Sequence, residues 1–169
     1  EDDHFKTRYN NSFLVPAFHP ENSVVSKIGS GDYALYHGNL SVAENIKAVE
    51  FLIDKVFNDL DFNFVIAGKN PEKQLVKKIK GKSNIQIKQN LSEDELNTLI
   101  SNAHLHVLPA YQSTGLKLKL LKALFRGRYC LVNEEILGDK NIGRTCIVCR
   151  SPLEWKQEIN KIRNRKFSE

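Results

Sequence analysis

The chain has 169 residues, of which 41% are hydrophobic and 27% charged, and its net charge is +5. This length favours one domain with its own core, and the composition is ordinary for a globular protein rather than a disordered or fibrous one. There is no run of 18 or more apolar residues, so no transmembrane helix is predicted.

The chain contains no methionine and does not open with a charged-then-apolar signal pattern. We therefore interpret it as a piece of a longer protein. Much of its positive charge lies in two stretches, 73–82 and 161–166, on predicted helix surfaces or at helix C-termini, where cations are favourable. No aromatic residues alternate with these lysines, so specific nucleic-acid binding is not predicted. A solvated face is favoured over a polyanion site.

Residues 1–30 show no sustained hydrophobic period and are interpreted as a lead-in or interdomain linker with one apolar island at 13–18. From residue 31 to residue 169, apolar strands alternate with amphipathic helices. The predicted strands are 34–37, 62–67, 85–87, 105–108, 129–132 and 145–148.

The helix starts are predicted from capping patterns. Two are capping boxes, Ser41-x-x-Glu44 and Ser92-x-x-Glu95. Asn70-Pro71 is interpreted as an N-cap followed by proline, opening a helix that runs to Gly81. The last two helices are predicted from Leu116 to Gly127 and from Ser151-Pro152 to about Arg163.

The strands are apolar without polar alternation, which is typical of a parallel sheet covered on both faces. The predicted fold class is α/β: an open, doubly wound, Rossmann-like parallel sheet of about six strands with helices on both faces. Ligands of such sheets bind beyond the carboxyl ends of the strands. The candidate binding rim is therefore 38–41, 68–70, 89–91, 109–116 and 133–138.

One loop of this rim has the features of an anion site. Thr114 and Gly115 lie at the start of a predicted helix, where unpaired N–H groups and the helix dipole favour negative charge. Lys117 and Lys119 add positive charge. The alternative is that this loop, like most short loops of its kind, binds nothing.

The three cysteines, Cys130, Cys146 and Cys149, favour a reducing compartment over a disulfide framework. Cys146-x-x-Cys149 could be half of a redox or zinc site, but residues three apart in a strand face opposite sides. Buried structural thiols and no metal site are predicted. His104 and His106 could form a metal pair, but core histidines are favoured because no third ligand is evident.

The order of elements and three segments resemble retaining GT-B glycosyltransferases, in particular their C-terminal, nucleotide-sugar-binding domain (glycosyl transferases group 1 type). The segments are GNLSVAEN, SEDELNTLISNAHLHVLPA and TGLKLKLLKALFRGRYCLV, and the match covers about 33–162. The resemblance implies a hexosyltransferase-type enzyme that takes its sugar from a nucleotide diphospho-sugar and needs no other cofactor. It also implies a missing N-terminal domain of the same protein as partner. The expected location is cytoplasmic, with peripheral membrane attachment through the missing part as an alternative.

The resemblance also implies the site. The family carries two glutamates separated by seven residues, one near the donor sugar and one on the ribose, and the matching positions are Thr114 and Lys122. The diphosphate is expected over the amides of Gly115 and Leu116. The full predicted donor-binding set is Gly38, Asn39, Gln89, Asn90, Leu91, Gln112, Thr114, Gly115, Leu116, Lys117 and Lys122.

This chain departs from the family pattern. Asn39 and Glu44 stand where an arginine and a lysine usually serve the diphosphate, and the ammonium of Lys122 cannot accept a ribose hydroxyl proton. No catalytic residue is predicted, and the fragment alone is expected to bind without turnover. Two alternatives remain: a degenerate glycosyltransferase-like domain with a structural or interaction role, and a non-enzymatic anion-binding α/β domain.

Overall fold

The computed structural model of this chain describes residues 2–9, 11–13, 21–112, 117–137 and 142–168. Its six parallel strands form one sheet in the order β3-β2-β1-β4-β5-β6. The strands are β1 (Tyr33–Asn39), β2 (Asn63–Lys69), β3 (Ile85–Gln89), β4 (Leu105–Leu108), β5 (Tyr129–Val132) and β6 (Ile147–Val148). This confirms the predicted doubly wound sheet, whose order reverses between β1 and β4.

Six α-helices accompany the sheet within the described ranges. They are α1 (Asp2–Arg8), α2 (Ala43–Phe51), α3 (Lys73–Lys78), α4 (Glu93–Asn102), α5 (Leu118–Arg126) and α6 (Pro152–Ile162). A π-helical turn, Leu52–Val56, continues α2, and 3-10 turns span Glu134–Ile136 and Ile142–Thr145. None of the helices in these ranges combines the length and apolar character needed to cross a bilayer.

Both faces of the sheet are buried, which explains why the strands lack polar alternation. Consecutive β1 residues join different core clusters: Tyr36 packs with Phe64 and Ile66, whereas Leu35 packs with Leu99 and Ile100 of α4. Since successive side chains of a strand point to opposite faces, each face carries its own apolar layer.

Two predicted helix starts are confirmed. At α4, Ser92 Oγ accepts a hydrogen bond from Glu95 N, while the Glu95 carboxylate accepts one from Ser92 N. At α6, Ser151 Oγ accepts one from Glu154 N at 3.2 Å, and Pro152 is the first helical residue.

The two other polar helix starts were predicted wrongly. Asn70 is not an N-cap: its φ of 51° places it in the left-handed region, and α3 begins only at Lys73 and ends at Lys78, before Gly81. The capping box at Ser41 does not form. Helix α2 begins at Ala43 after Val42, which makes no side-chain cap.

Of three further boundaries, one differs from the prediction, one agrees with it and one lies outside the described residues. The sixth strand is shorter than predicted, because Thr145 ends a 3-10 turn in which its hydroxyl donates to Ile142 O at 2.8 Å. Gly127 follows the last residue of α5, as expected. The predicted start of that helix, Leu116, lies outside the described residues.

The lead-in is not wholly irregular, because Asp2–Arg8 is helical, with the rings of Phe5 and Tyr9 stacked one turn apart. Its later part attaches to the domain: Val25 N donates to Phe125 O at 2.8 Å, and Gly29 pairs with Phe167. Of the apolar island, only Phe13 is described, and it is 85% exposed. The boundary at residue 30 remains a prediction.

Candidate functional site

A cavity of about 270 Å³ opens at the carboxyl ends of β1 and β2, beside the point where the strand order reverses. It is lined by His37, Gly38, Asn39, Ala67, Gly68, Lys69, Leu91 and Leu96. Three of these, Gly38, Asn39 and Leu91, belong to the predicted donor-binding set. The structure therefore brings the first two predicted rim segments and the β3–α4 loop to one place.

The β3–α4 loop is held against the end of β2 by backbone contacts. Gln89 pairs with Gly68 across the β2–β3 ladder, and Asn90 N donates to Gly68 O at 3.1 Å. Asn90 has a φ of 54°, and its side-chain oxygen accepts from Asn70 N at 3.4 Å. A side chain at Gly68 would overlap Gly38 O and Leu40. This close packing positions Leu91 at the cavity wall.

His37 is a cavity residue that the sequence analysis missed. It is 4% exposed, its ring lies edge-on to that of His106 at 6.0 Å, and its Nε2 makes no hydrogen bond with the described residues. Burial, followed by His106 and the positive charges of Lys119 and Lys122, holds the pKa of His37 well below its usual value. The imidazole is therefore neutral at pH 7. Its position directly before Gly38, at the end of the predicted strand 34–37, was the sequence signal that could have placed it at the binding rim.

Glu44 holds the loop that follows β4. Its Oε1 accepts hydrogen bonds from Tyr111 N and Gln112 N, both at 3.2 Å. From the other side, Asn133 Oδ1 accepts from Ala110 N at 2.9 Å. Of the predicted residues in this loop, Gln112 is thus positioned through its backbone, whereas Thr114, Gly115 and Leu116 lie outside the described residues.

The side chain of Lys119 reaches from α5 to β1 and α2. Its Nζ donates to Asn45 Oδ1 at 2.9 Å and to Tyr36 OH at 3.2 Å, and burial lowers the pKa of Lys119 to about 8. Lys117 stands at the N-cap position of α5. Its carbonyl oxygen accepts from Leu120 N at 2.8 Å, whereas its side chain makes no hydrogen bond or ion pair with the residues that the structure describes.

Lys122, the predicted ribose residue, forms an ion pair with Glu93 in the first turn of α4. This pairing lowers the pKa of Glu93, and Lys69 acts in the same direction. Lys122 therefore lies near the cavity, but a carboxylate of the same chain already accepts from its ammonium. The ribose contact stays a prediction.

The two histidines considered as a metal pair, His104 and His106, are both buried in the core. His104 is buried: its Nδ1 accepts from Gly31 N at 3.1 Å, and its Nε2 lies 2.7 Å from Ile162 O, to which it donates. His106 packs beneath Gly127, where a side chain would overlap its ring, and burial lowers the pKa of His106 to about 4. Within the described ranges, no three His, Cys, Asp or Glu side chains are grouped to hold a metal ion.

A second cavity, of about 360 Å³, lies at the carboxyl ends of β4 to β6. Its lining is Phe51, Pro109, Tyr111, Asn133, Glu134, Glu135, Cys149, Arg150, Pro152 and Trp155. Lys47 Nζ lies 4.2 Å from the centre of the Tyr111 ring, and Arg150 pairs with Glu134 at 2.8 Å. The predicted rim is thus divided between two cavities, and the loop after β4 lines the second one through Pro109 and Tyr111.

Residues 31–164 match the family model described as Glycosyl transferases group 1. The chain belongs to this family. The match confirms the resemblance drawn from the sequence, and no curated protein sequence matches the chain significantly.

Solved glycosyltransferase structures share the fold. A structure of a Staphylococcus aureus TarM mutant with Fondaparinux, alpha-GlcNAc-glycerol and UDP gives a TM-score of 0.71 at 13% identity, over 97% of this chain and 35% of that one. AviGT4, a glycosyltransferase of avilamycin A biosynthesis, gives 0.60 at 13% identity, over 82% and 46%. The GtfA/B complex gives 0.59 at 15% identity, over 82% and 30%. The chain thus has a GT-B glycosyltransferase fold and spans less than half of each of these proteins.

Proposed function

We propose that this domain binds the nucleotide diphospho-sugar donor of a glycosyltransferase in the cavity at the ends of β1 and β2. One observation carries the proposal: three segments far apart in sequence, 38–39, 68–69 and 91–96, close one cavity beside the strand-order reversal of a group 1 glycosyltransferase domain. Ligand sites of doubly wound sheets lie at that point.

The cavity's chemistry fits a nucleoside. Leu91 and Leu96 give it an apolar wall for the flat base, and the backbone of Leu91 would offer hydrogen-bonding groups at the rim. His37 supplies a neutral imidazole that can donate or accept. UDP is the first nucleotide to test, because it is named in the TarM structure.

The diphosphate would point toward the first turn of α5, whose unpaired N–H groups favour an anion. Two cations near this path replace those missing from the family positions. Lys69 lines the cavity, and Lys117 stands at the start of α5. Lys119 adds a third positive charge where it contacts Asn45 of α2. These groups would stabilise the diphosphate as the sugar leaves.

The first experiment is a thermal-shift panel of uridine, guanosine and adenosine diphospho-sugars. A ligand present at about 100 times its dissociation constant adds roughly 2.7 kcal/mol to the free energy of unfolding. Stabilisation by one nucleotide class, without sugar transfer by this domain alone, is the expected result. No shift with any member at millimolar concentration would contradict donor binding.

A test at Lys122 distinguishes a site in which its ammonium contacts the nucleotide from one in which it stays paired with Glu93. If Lys122 leaves Glu93 to donate to ribose or phosphate, Lys122→Ala should weaken binding of the identified nucleotide by about ten-fold, since a charge-assisted hydrogen bond contributes on the order of 1.5–3 kcal/mol. Calorimetric titration of wild type, Lys122→Ala and Lys122→Glu measures this. Equal affinities would restrict Lys122 to its ion pair with Glu93.

A specific observation also favours a second candidate, a degenerate domain with a structural or interaction role. Glu44 and Lys122, the two residues of altered charge, are both engaged inside the chain, one with the Tyr111 and Gln112 amides and the other with Glu93. In that case no nucleotide in the panel stabilises the protein. Salt-dependent binding to polyanions would instead support the anion-binding alternative.

A further inference from the structure

Two cysteines lie opposite each other at the edge of the sheet. Leu131 pairs with Ile147 and Val132 with Val148 in the parallel ladder of β5 and β6. One step earlier in the same register, Cys130 lies beside Cys146, and both side chains pack in the same apolar core cluster. Neighbouring strands lie about 4.8 Å apart. That spacing falls within the Cα–Cα range of about 4.4–6.8 Å that a disulfide requires.

The cysteine pair indicated by sequence spacing is different. Cys149 lies three residues after Cys146, and its backbone N donates to Val132 O at 2.7 Å as the chain leaves the strand. Its buried side chain lines the second cavity beside Trp155. The CxxC motif therefore contributes one sulfur to the pair, and β5 contributes the other.

We propose that Cys130 and Cys146 are a redox modification site, at which a low-molecular-weight disulfide such as oxidised glutathione converts the two facing thiols into a disulfide between β5 and β6. This inference does not depend on donor binding. It rests on the strand register, the packing of both side chains in one core cluster and the unequal exposure of the two sulfurs.

The different solvent exposure of the two cysteines determines which thiol reacts first with the disulfide. Cys146 is half-buried and reachable from solvent, whereas Cys130 is buried. The adjacent Cys130 side chain, followed by that of Thr145, lowers the pKa of Cys146, which favours the attacking thiolate. The contact with Cys146 and burial raise the pKa of Cys130. Cys146 is therefore the entry point and Cys130 the resolving thiol.

The exchange balances in two steps. The Cys146 thiolate attacks one sulfur of oxidised glutathione, which forms a mixed disulfide and releases one glutathione thiolate. The Cys130 thiol then loses its proton to solvent and attacks the Cys146 sulfur, releasing the second glutathione. Two protein thiols are oxidised to one disulfide, and one glutathione disulfide is reduced to two thiols.

The test uses the folded chain, incubated with oxidised glutathione, then denatured and alkylated before peptide mapping. We expect two of the three thiols to be lost, a peptide linking Cys130 to Cys146, and full recovery of all three thiols with dithiothreitol. A link between Cys146 and Cys149, a glutathione adduct without an internal bond, or no reaction would each overturn the proposal.

Variants provide matched controls. Cys149→Ser should keep the cross-link, because Cys149 takes no part in it. Cys146→Ser should abolish both the cross-link and glutathione uptake. Cys130→Ala should trap glutathione on Cys146 as a stable mixed disulfide, since no resolving thiol remains. A Cys130→Ala chain that still forms an internal disulfide would contradict the assignment, and the wild-type peptide map does not depend on whether any variant folds.

Discussion

Helices α2 and α4 are preceded by the same pattern, Ser-x-x-Glu, and the structure treats the two copies differently. At α4, Ser92 and Glu95 close a capping box, with the carboxylate accepting from Ser92 N and Oγ, both at 2.8 Å. At α2, Ser41 Oγ donates to Asn39 Oδ1 at 2.9 Å instead. Glu44 reaches across to the loop after β4.

The two helix starts differ because Ser41 and Glu44 form their hydrogen bonds with groups outside α2. A capping box needs serine at the N-cap and glutamate three residues later. Helix α2 instead takes Val42 as its N-cap, which leaves Glu44 free to accept from two loop amides. Asn45 accepts from Lys119 and donates to Asn39 O. The Ser92–Glu95 pair serves its own helix, whereas the start of α2 joins three segments of the candidate site.

The largest expected effect is at Glu44. Glu44→Ala leaves the Tyr111 and Gln112 amides to water and frees the loop that leads to α5. Because these hydrogen bonds are partly exposed, we expect a loss of about 1–2 kcal/mol in the free energy of unfolding. If the donor site is as proposed, nucleotide affinity should also fall about ten-fold. Urea denaturation and calorimetric titration measure the two effects.

Glu44→Gln is the matched control for that prediction, because its amide oxygen can still accept from both N–H groups. It should retain most of the stability and most of the affinity. If Gln and Ala are equally damaging, the negative charge and not the loop contact is the important property. If neither changes anything, the contact has no role in holding the loop.

Replacing Ser92 or Ser41 is expected to have a smaller effect on stability than replacing Glu44, and the two replacements should differ from each other. Ser92→Ala removes a working N-cap and should cost about 1 kcal/mol. Ser41→Ala removes one exposed hydrogen bond to Asn39 and should change stability by less than about 0.5 kcal/mol. The midpoints of urea denaturation at constant slope compare the two variants directly. Equal costs would mean that Ser41 also caps its helix in solution.

The fold could be predicted because its signals are local. The ends of β4 and β5 were placed correctly, since Pro109 stops one strand and Gly127 separates α5 from the other. Apolar strands without alternation required a sheet covered on both faces. The same logic placed Gly38 and Leu91 at one rim, because carboxyl ends of parallel strands meet there.

The site's contacts could not be predicted, because they join residues far apart in sequence. Glu44 and Tyr111 are separated by 67 positions, and Lys122 and Glu93 by 29. Periodicity carries no information about such pairs. Asn70 was misread for a similar reason: its amide is held by Asn90, twenty positions later, in a conformation that no N-cap adopts.

The smallest expected effect is the pH dependence of the α4 start. Hydrogen bonds from Ser92 N and Oγ hold the pKa of Glu95 below its ordinary value, which is about 4.3 in an unfolded chain. A carboxyl whose pKa is lower in the folded state stabilises the protein above the unfolded value. It loses that contribution as pH falls through the folded value. The comparison of wild type with Glu95→Gln isolates this group from the other carboxylates.

The denaturation midpoints of wild type and Glu95→Gln should therefore differ most near pH 7 and converge as the pH is lowered below about 4.3. A Ser92→Ala change made in the Glu95→Gln background should add less than it does in wild type, because both residues belong to one capping box. A difference that stays constant from neutral to acid pH would show that the Glu95 charge does not contribute to the cap. The contrast between α2 and α4 would then rest on Ser92 alone.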